Sequence, residues 1–158
     1  LIVGSVKMCI RDRENDITKA IVWVLKTCPG VLESLIKELC GMKVDCNKIT
    51  IEYQKFEMVH DTHTYTDIEI YDDSNFHIIL EAKRGWNLPK TSQLEIYSKK
   101  QSFFQSTNTF KKIFSISECT DDYADRYLPL HKTKNGIEIG HISWKKFREI
   151  FHRTRRSM

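Results

Sequence analysis

The spacing of apolar residues changes along the chain and predicts an α/β protein. Near the N-terminus apolar residues recur every three or four positions, which predicts an amphipathic helix capped by Asn15 or Asp16. Pro29-Gly30 interrupts this pattern, and a second helical segment follows. Residues 49–56 instead alternate between apolar and polar, which is typical of a half-buried strand.

The centre of the chain predicts a β-hairpin whose second strand is buried on both sides. Residues 68–71 and 76–80 are rich in β-branched and aromatic side chains, and the Asp-Asp-Ser-Asn segment 72–75 between them has turn chemistry. The segment Ile78-Ile79-Leu80 has no polar position, so neither face of this strand is expected to meet solvent.

The second half of the chain adds a helix, a strand, and a final strand and helix. Ser92 and Glu95 form a capping box that begins a helix ending near Phe104. The later segments are a strand at 111–117, a charged loop at 118–134, a turn at Asn135-Gly136, a strand at 137–142 and a helix from 144 to about 151. The predicted order is therefore α-β-β-β-α-β-β-α.

The segment 58–65, between the first two strands, is expected to be a loop. It carries His60, Asp61 and His63, a set that can bind a transition metal. Two histidines three positions apart in a loop are usually polar surface, so we expect no zinc there.

Length and composition predict one domain of ordinary size. The chain has 158 residues, of which 41% are hydrophobic, and this suffices for a core. Residues 1–12 resemble neither a signal peptide nor a periodic helix, so we expect an irregular, non-native leader before a domain at 13–152 and a basic tail at 153–158. The five cysteines form no Cys-x-x-Cys pair, and no apolar run reaches membrane-spanning length, so a cytoplasmic protein with plain thiols is the simplest account.

Two carboxylates and an ammonium group end the strands of the central hairpin. Asp67 is expected opposite Leu80 or Glu81, depending on whether the turn holds two or three residues, and Lys83 points the same way as Glu81. Two acids this close repel each other unless a cation or a proton lies between them. Oxygen ligands without His or Cys favour Mg²⁺ or Mn²⁺. A surface hairpin with a salt bridge is the alternative, which the buried setting disfavours because buried charges need partners.

Gln93 and Tyr97 are candidates for the same site. They lie four residues apart, hence on one face of a helix that should pack beside the buried strand. The alternative is an exposed amide next to a half-buried aromatic side chain.

These residues resemble the motifs of the PD-(D/E)xK nuclease superfamily. Asp67, with Thr66 where the family often has Pro, and Glu81-Ala82-Lys83 match the motif of that name, and Gln93-x-x-x-Tyr97 is similar to a motif of its RecB-like and phage-exonuclease branch. The resemblance implies a three-layer α/β/α, restriction-endonuclease-like core around a central mixed sheet. It also implies a Mg²⁺-dependent deoxyribonuclease.

The resemblance further implies how the site works. Asp67, Glu81, the backbone carbonyl of Ala82 and the carboxylate of Glu14 would hold Mg²⁺, for which Mn²⁺ can substitute, with no iron–sulfur cluster and no zinc. Lys83 would orient the attacking water or stabilise developing negative charge. Neighbouring carboxylates raise its pKa and a bound cation lowers it, so a role as base stays open. The Gln and Tyr of the helix would address the scissile phosphate or the water.

The charge of the chain agrees with DNA as the partner without requiring it. The net charge is +4, and a basic rim attracts a polyanion. The candidate contacts are Arg84, Lys90, Lys99 and Lys100. A homodimer or a separate motor or specificity subunit is compatible with the sequence, and DNA repair, recombination, restriction and phage defence remain open as roles. The alternatives are a catalytically inactive nucleic-acid- or protein-binding domain of the same fold and a hydrolase of small phosphate esters.

Overall fold

A five-stranded mixed sheet forms the centre of the protein. The computed structural model describes residues 2–156, with side chains from residue 14 onward. The strands are β1 Thr50–Val59, β2 Thr62–Tyr71, β3 Phe76–Ala82, β4 Phe110–Ser117 and β5 Glu138–Ser143. They lie in the order β1-β2-β3-β4-β5; the first two pairs are antiparallel and the last two are parallel.

Helices cover both faces of the sheet, which confirms the predicted three-layer α/β architecture. They are α1 Ile2–Thr27, α2 Pro29–Cys40, α3 Thr91–Ser98, α4 Gln101–Phe104, α5 Asp121–Tyr127 and α6 Trp144–Arg156. On β3, Ile78 and Leu80 enter a core with α1, α2 and α6, whereas Ile79 enters a second core with α3, α4 and α5. Every residue of β3 is buried, because alternate side chains serve the two cores.

The turn between β2 and β3 sets the register on which the candidate site depends. Residues 73–75 form the turn, closed by a 3.2 Å hydrogen bond from the Asp72 N–H to the Phe76 carbonyl. The Asp72 carboxylate accepts the backbone N–H of Phe76 at 3.0 Å and so stabilises this geometry. Ile68 consequently lies opposite Leu80. The next positions along this register are Asp67 and Glu81, so the three-residue alternative is the observed one.

The segment 58–65 is a tight hairpin, and the predicted loop is wrong. Val59 pairs with Thr62, and the two residues between them, His60 and Asp61, have φ values of 46° and 62°. Two left-handed residues in a two-residue turn match the twist of the flanking strands. Asp tolerates this conformation and His adopts it more often than most residues, but no Gly marks the turn in the sequence.

Three other boundaries differ from the predictions. The charged segment 118–134 contains α5, because the Thr120 hydroxyl accepts the Tyr123 N–H at 3.2 Å and two Asp residues follow it in the first turn. The helix expected to reach Phe104 breaks at Lys99 and Lys100 into α3 and α4. Helix α6 continues through residues 153–156 of the predicted tail, whereas 157–158 lie outside the described residues.

The first helix is longer than the sequence indicates. It begins at Ile2, so Asn15 and Asp16 lie inside it and do not cap it, and 2–12 are helical where irregular chain is expected. Adding residues to an existing helix is far easier than nucleating one. Leu1 lies outside the described residues, and the origin of this segment stays a prediction. Within residues 2–156, no helix has both the length and the apolar character needed to cross a membrane.

Candidate functional site

A polar cavity of about 700 Å³ opens where β2 and β3 meet α1 and α3. The register of the hairpin supplies the two acids, and α3 supplies an amide and a phenol. The cavity is lined by Glu14, Asn15, Gln54, Tyr65, Asp67, Glu81, Lys83, Lys90, Gln93 and Tyr97. It therefore brings together six side chains that the sequence singles out for catalysis or metal binding, and it adds three that the sequence does not.

The Glu81 carboxylate is the most heavily bonded group in the cavity. Its Oε1 accepts from Gln93 Nε2 at 2.7 Å and from Lys83 Nζ at 3.0 Å, and its Oε2 accepts from Tyr97 Oη at 2.8 Å. A carboxylate has about four lone-pair sites, so these three donors leave one site, on Oε2. Burial raises the pKa of Glu81, although these three donors act against that rise.

The Asp67 carboxylate has far fewer hydrogen-bond donors to compensate for its burial. Among the residues that the structure describes, its one hydrogen bond is from the backbone N–H of Ala82, at 3.0 Å. Burial and the nearby charge of Glu81 raise the pKa of Asp67 from 3.8 to about 8. Without a cation, this pair of acids therefore keeps a proton at neutral pH.

A second acid on the same face of β2 has enough hydrogen-bonding partners to compensate for the burial of its charge. Glu69, two residues beyond Asp67, accepts from Lys100 Nζ at 2.6 Å, from Thr66 Oγ1 at 2.6 Å and, through its other oxygen, contacts His77 Nε2 at 2.9 Å. These partners outweigh its burial and lower the pKa of Glu69 to about 2. Glu69 is thus ionised and has three partners for its charge, whereas Asp67 has one backbone hydrogen bond among the described residues.

The buried network corrects one candidate for nucleic-acid contact. Lys100 is fully buried, and its ammonium group also donates to the Lys55 carbonyl at 3.2 Å, so the prediction that it contacts nucleic acid is wrong. The break between α3 and α4 turns this lysine inward and leaves Lys99 exposed. Lys90 is exposed at the cavity and Arg84 is half-buried, and their nucleic-acid contact stays a prediction.

Gln93 and Tyr97 lie on one face of α3, as predicted, but they face Glu81. Both donate to its carboxylate, and Gln93 Nε2 also donates to Tyr97 Oη at 2.8 Å. From the sequence, both are expected to address the phosphate or the water. In the structure they orient a carboxylate instead, and Tyr97 is only 5% exposed.

Lys83 lies within the cavity and is charged. Burial acts to lower its pKa, but the carboxylate of Glu81 outweighs burial and raises it. In the absence of a cation this favours Lys83 as a hydrogen-bond donor and a positive charge, not as a base.

Helix α1 and strand β1 complete the cavity, in part with residues whose place there the sequence does not indicate. Glu14 lines the cavity, and its carboxylate accepts the backbone N–H of Arg84 at 3.3 Å; its role as a metal ligand stays a prediction. Gln54 donates to the Asn15 side chain at 3.0 Å and has a left-handed backbone with a φ of 48°, which interrupts the pairing of β1 beside Asp67. A polar residue in an alternating strand gives no signal of such a role.

The donor set fits a hard divalent cation. No three His, Cys, Asp or Glu side chains converge as a metal-ligand group among the described residues, so the cavity offers Asp67 and Glu81 as a pair. Both present oxygen, Asp67 has most of its lone pairs unused, and Glu81 has one site left. Mg²⁺ is commonly held by one or two carboxylates, with water and substrate oxygens completing its shell.

Comparisons with known proteins give little further information. No family model matches the chain, and no curated protein matches it in sequence. A solved half-complex from a tetradecameric assembly of Thermococcus gammatolerans McrB AAA+ hexamers with bound McrC contains a chain that is 14% identical, with a TM-score of 0.39. The match covers 78% of this chain and 30% of that chain. A likeness this distant supports no statement about function.

We predict that Lys100→Met destabilises the protein strongly, while Lys99→Met does not. Removing the ammonium group leaves Glu69 buried without its closest cation, and breaking a buried pair costs about 3–5 kcal/mol. For a domain of this size that lowers Tm by roughly 10 °C. Thermal denaturation followed by circular dichroism measures both variants. Equal Tm values for the two would contradict a structural role for Lys100.

A second prediction concerns the pH dependence of stability without metal. Because the pKa of folded Asp67 is raised to about 8 from 3.8, its contribution to stability is complete below pH 4 and is lost as the pH rises through 8. Asp67→Asn keeps the acceptor for Ala82 and removes the ionisation, so in EDTA at pH 8.5 we expect a Tm about 5 °C above wild type. The matched control is Asp73→Asn, in the exposed turn, whose Tm should equal that of wild type. A Tm of Asp67→Asn at or below that of wild type contradicts the prediction.

Proposed function

We propose that this cavity hydrolyses DNA phosphodiester bonds with a divalent cation, Mg²⁺ or Mn²⁺, held between Asp67 and Glu81. The contrast between neighbouring acids on β2 carries this proposal. Glu69 has three partners that satisfy its charge, whereas Asp67, on the same face and next to Glu81, has one backbone hydrogen bond among the described residues. A hairpin held by salt bridges alone has no reason to leave a buried acid in this state.

The surrounding side chains support this function by preparing the pair of acids. Gln93 and Tyr97 fix the orientation of Glu81, as groups behind a metal ligand commonly do. The Ala82 N–H donates to Asp67 and so fixes its orientation, and the carbonyl of the same residue is the proposed third oxygen ligand. A divalent cation held by Asp67 and Glu81 would supply a water of lowered pKa and would screen the charge of the phosphate.

Lys83 completes the site as a positive charge in the same cavity. Its Nζ lies 3.0 Å from Glu81 Oε1, so it stands beside the ligand that the cation would share. From there the ammonium group stabilises the negative charge that develops on the phosphate oxygens. The exposed Lys90 on the cavity wall adds attraction for a polyanionic substrate.

The decisive test is cleavage of linear and closed-circular plasmid DNA by the purified protein in Mg²⁺ or Mn²⁺. We expect the wild type to cut. Asp67→Asn and Lys83→Ala should each lower the rate about a hundredfold or more, while DNA affinity measured in EDTA stays within about threefold. Asp73→Asn is the matched control and should cut like wild type. Loss of linear DNA alone indicates an exonuclease, and cutting of the circle indicates an endonuclease.

One outcome of this experiment contradicts the proposed enzyme. If the folded wild type binds DNA but leaves both substrates whole at every Mg²⁺ and Mn²⁺ concentration, the cavity belongs to a binding domain. If it neither binds nor cuts DNA but hydrolyses a small phosphate ester, the substrate assignment is wrong.

We also predict that Tyr97→Phe weakens cation binding. The phenol donates to Glu81 Oε2, the oxygen with the remaining lone-pair site, and the loss of such a supporting hydrogen bond typically costs 10–100-fold in metal affinity or activity. The readouts are the Mg²⁺ concentration for half-maximal cleavage and, independently of activity, the rise of Tm with Mg²⁺. Tyr127→Phe, on the exposed surface of α5, is the control. An unchanged Mg²⁺ dependence in Tyr97→Phe contradicts the positioning role.

A further inference from the structure

A second cavity, of about 710 Å³, lies between α1 and α6. Its walls are mainly apolar, and four of its lining residues are aromatic: Trp86, Trp144, Phe147 and Phe151. We call this cavity the aromatic groove. Trp86 is 51% exposed, so a large apolar ring is available to a ligand there.

The aromatic groove adjoins the candidate active site. Helix α1 places Glu14 in the active-site cavity and Ile17, about one turn later, in the groove. The segment after β3 does the same, because Lys83 lies in the cavity and Trp86 in the groove. The hydrogen bond from the Arg84 N–H to the Glu14 carboxylate joins these two walls. A strand whose phosphate lies at Asp67 therefore has the groove as its neighbour.

The indole of Trp86 is held in place before any ligand binds. Its ring meets Tyr123 of α5 edge to face, with centroids 4.8 Å apart and an interplanar angle of 88°. Such contacts stabilise an aromatic pair beyond simple burial. Trp86 therefore offers a preorganised surface, which lowers the entropic cost of stacking a ligand on it.

The charge at the groove favours a polyanion. Lys145 and Arg148 are exposed side chains of its lining, and Glu118 is the one acidic residue among the described residues that line it. Helix α6 as a whole carries six Lys and Arg residues and one Glu. An aromatic surface with a cationic rim is the chemistry that binds single-stranded nucleic acid, since bases stack on the rings and phosphates meet the cations.

We propose that the aromatic groove receives an unpaired nucleobase next to the phosphate held at the candidate active site. The proposal rests on the nuclease function above and names its substrate class, a single strand or a frayed end. Bases of a duplex are already stacked on their neighbours and cannot enter a concave groove unless the duplex opens. The groove therefore selects unpaired strands, whereas the charged rim attracts either form.

Binding in EDTA tests the groove separately from cleavage. A fluorescein-labelled twelve-nucleotide oligothymidine and a duplex of the same length are titrated with wild type, Trp86→Ala and Trp23→Ala. Trp23 is the matched control, because it is 66% exposed on α1 and is not part of the groove lining. We expect wild type to prefer the single strand. Trp86→Ala should weaken single-strand binding about tenfold and duplex binding less than twofold, and Trp23→Ala should change neither.

An abasic oligonucleotide and a charge variant separate the contribution of the bases to binding from that of the phosphates. Removing the bases should lower wild-type affinity and abolish the difference between wild type and Trp86→Ala. Lys145→Gln with Arg148→Gln should weaken the binding of both nucleic acids and reduce the salt dependence by about two charges. If Trp86→Ala fails to fold, the abasic strand keeps the test decisive, because equal wild-type affinities for the abasic and the base-bearing strand would overturn the proposal. Equal effects of Trp86→Ala and Trp23→Ala, or a wild type that binds duplex at least as tightly as single strand, overturn the proposal.

The outcomes for the groove and for the nuclease are distinguishable. Single-strand binding that depends on Trp86, in a protein that cuts nothing with Mg²⁺ or Mn²⁺, leaves the groove in place and rejects the nuclease. Cleavage that depends on Asp67 and Lys83 but is indifferent to Trp86 and to base pairing leaves the nuclease in place and rejects the groove.

Discussion

The buried ion pair between Glu69 and Lys100 is the interaction on which the arrangement of the site depends. Lys100 lies where α3 gives way to α4, and its ammonium group joins that break to β1 and β2. The orientation of α3 follows from this attachment, and α3 carries both donors to Glu81. The fully buried ammonium group of Lys100 thereby sets the position of the Tyr97 phenol in the cavity. Buried pairs contribute little net stability, but a pair with one fixed geometry can specify how two elements meet.

Burial of β3 on both sides explains why the acids lie where they do. Even-numbered positions such as Ile78 and Leu80 belong to the core under α1, α2 and α6, so Ile79 and Glu81 point to the side of α3. The three-residue turn then fixes Asp67 in phase with Glu81. A register shifted by one residue would turn Asp67 toward the opposite core. The proximity of the acids is thus a consequence of the hairpin and needs no special loop.

The five strands and the acid pair could be predicted from the sequence because they depend on local periodicity and turn chemistry. Residue spacing identifies the face of Gln93 and Tyr97, but it does not identify which acceptor their hydrogens reach, since that depends on how α3 meets β3. For the same reason the sequence cannot separate Lys99 from Lys100, because a two-residue break between α3 and α4 decides which of the two is buried. Gln54 lies in the cavity because its backbone is left-handed, and its residue type does not predict that conformation.

The asymmetry of the two acids defines what a cation would meet at the proposed site. Lys83, Gln93 and Tyr97 all donate to Glu81, so Glu81 would be the oriented ligand, whereas burial and the charge of Glu81 raise the pKa of Asp67, so that the pair retains a proton in the absence of metal. A cation bound at the proposed site would displace that proton, which would couple its affinity to pH. Because Lys83 bonds to Glu81 and not to Asp67, the ammonium group does not substitute for the cation between the acids. It remains beside them, where it could act on the proposed substrate.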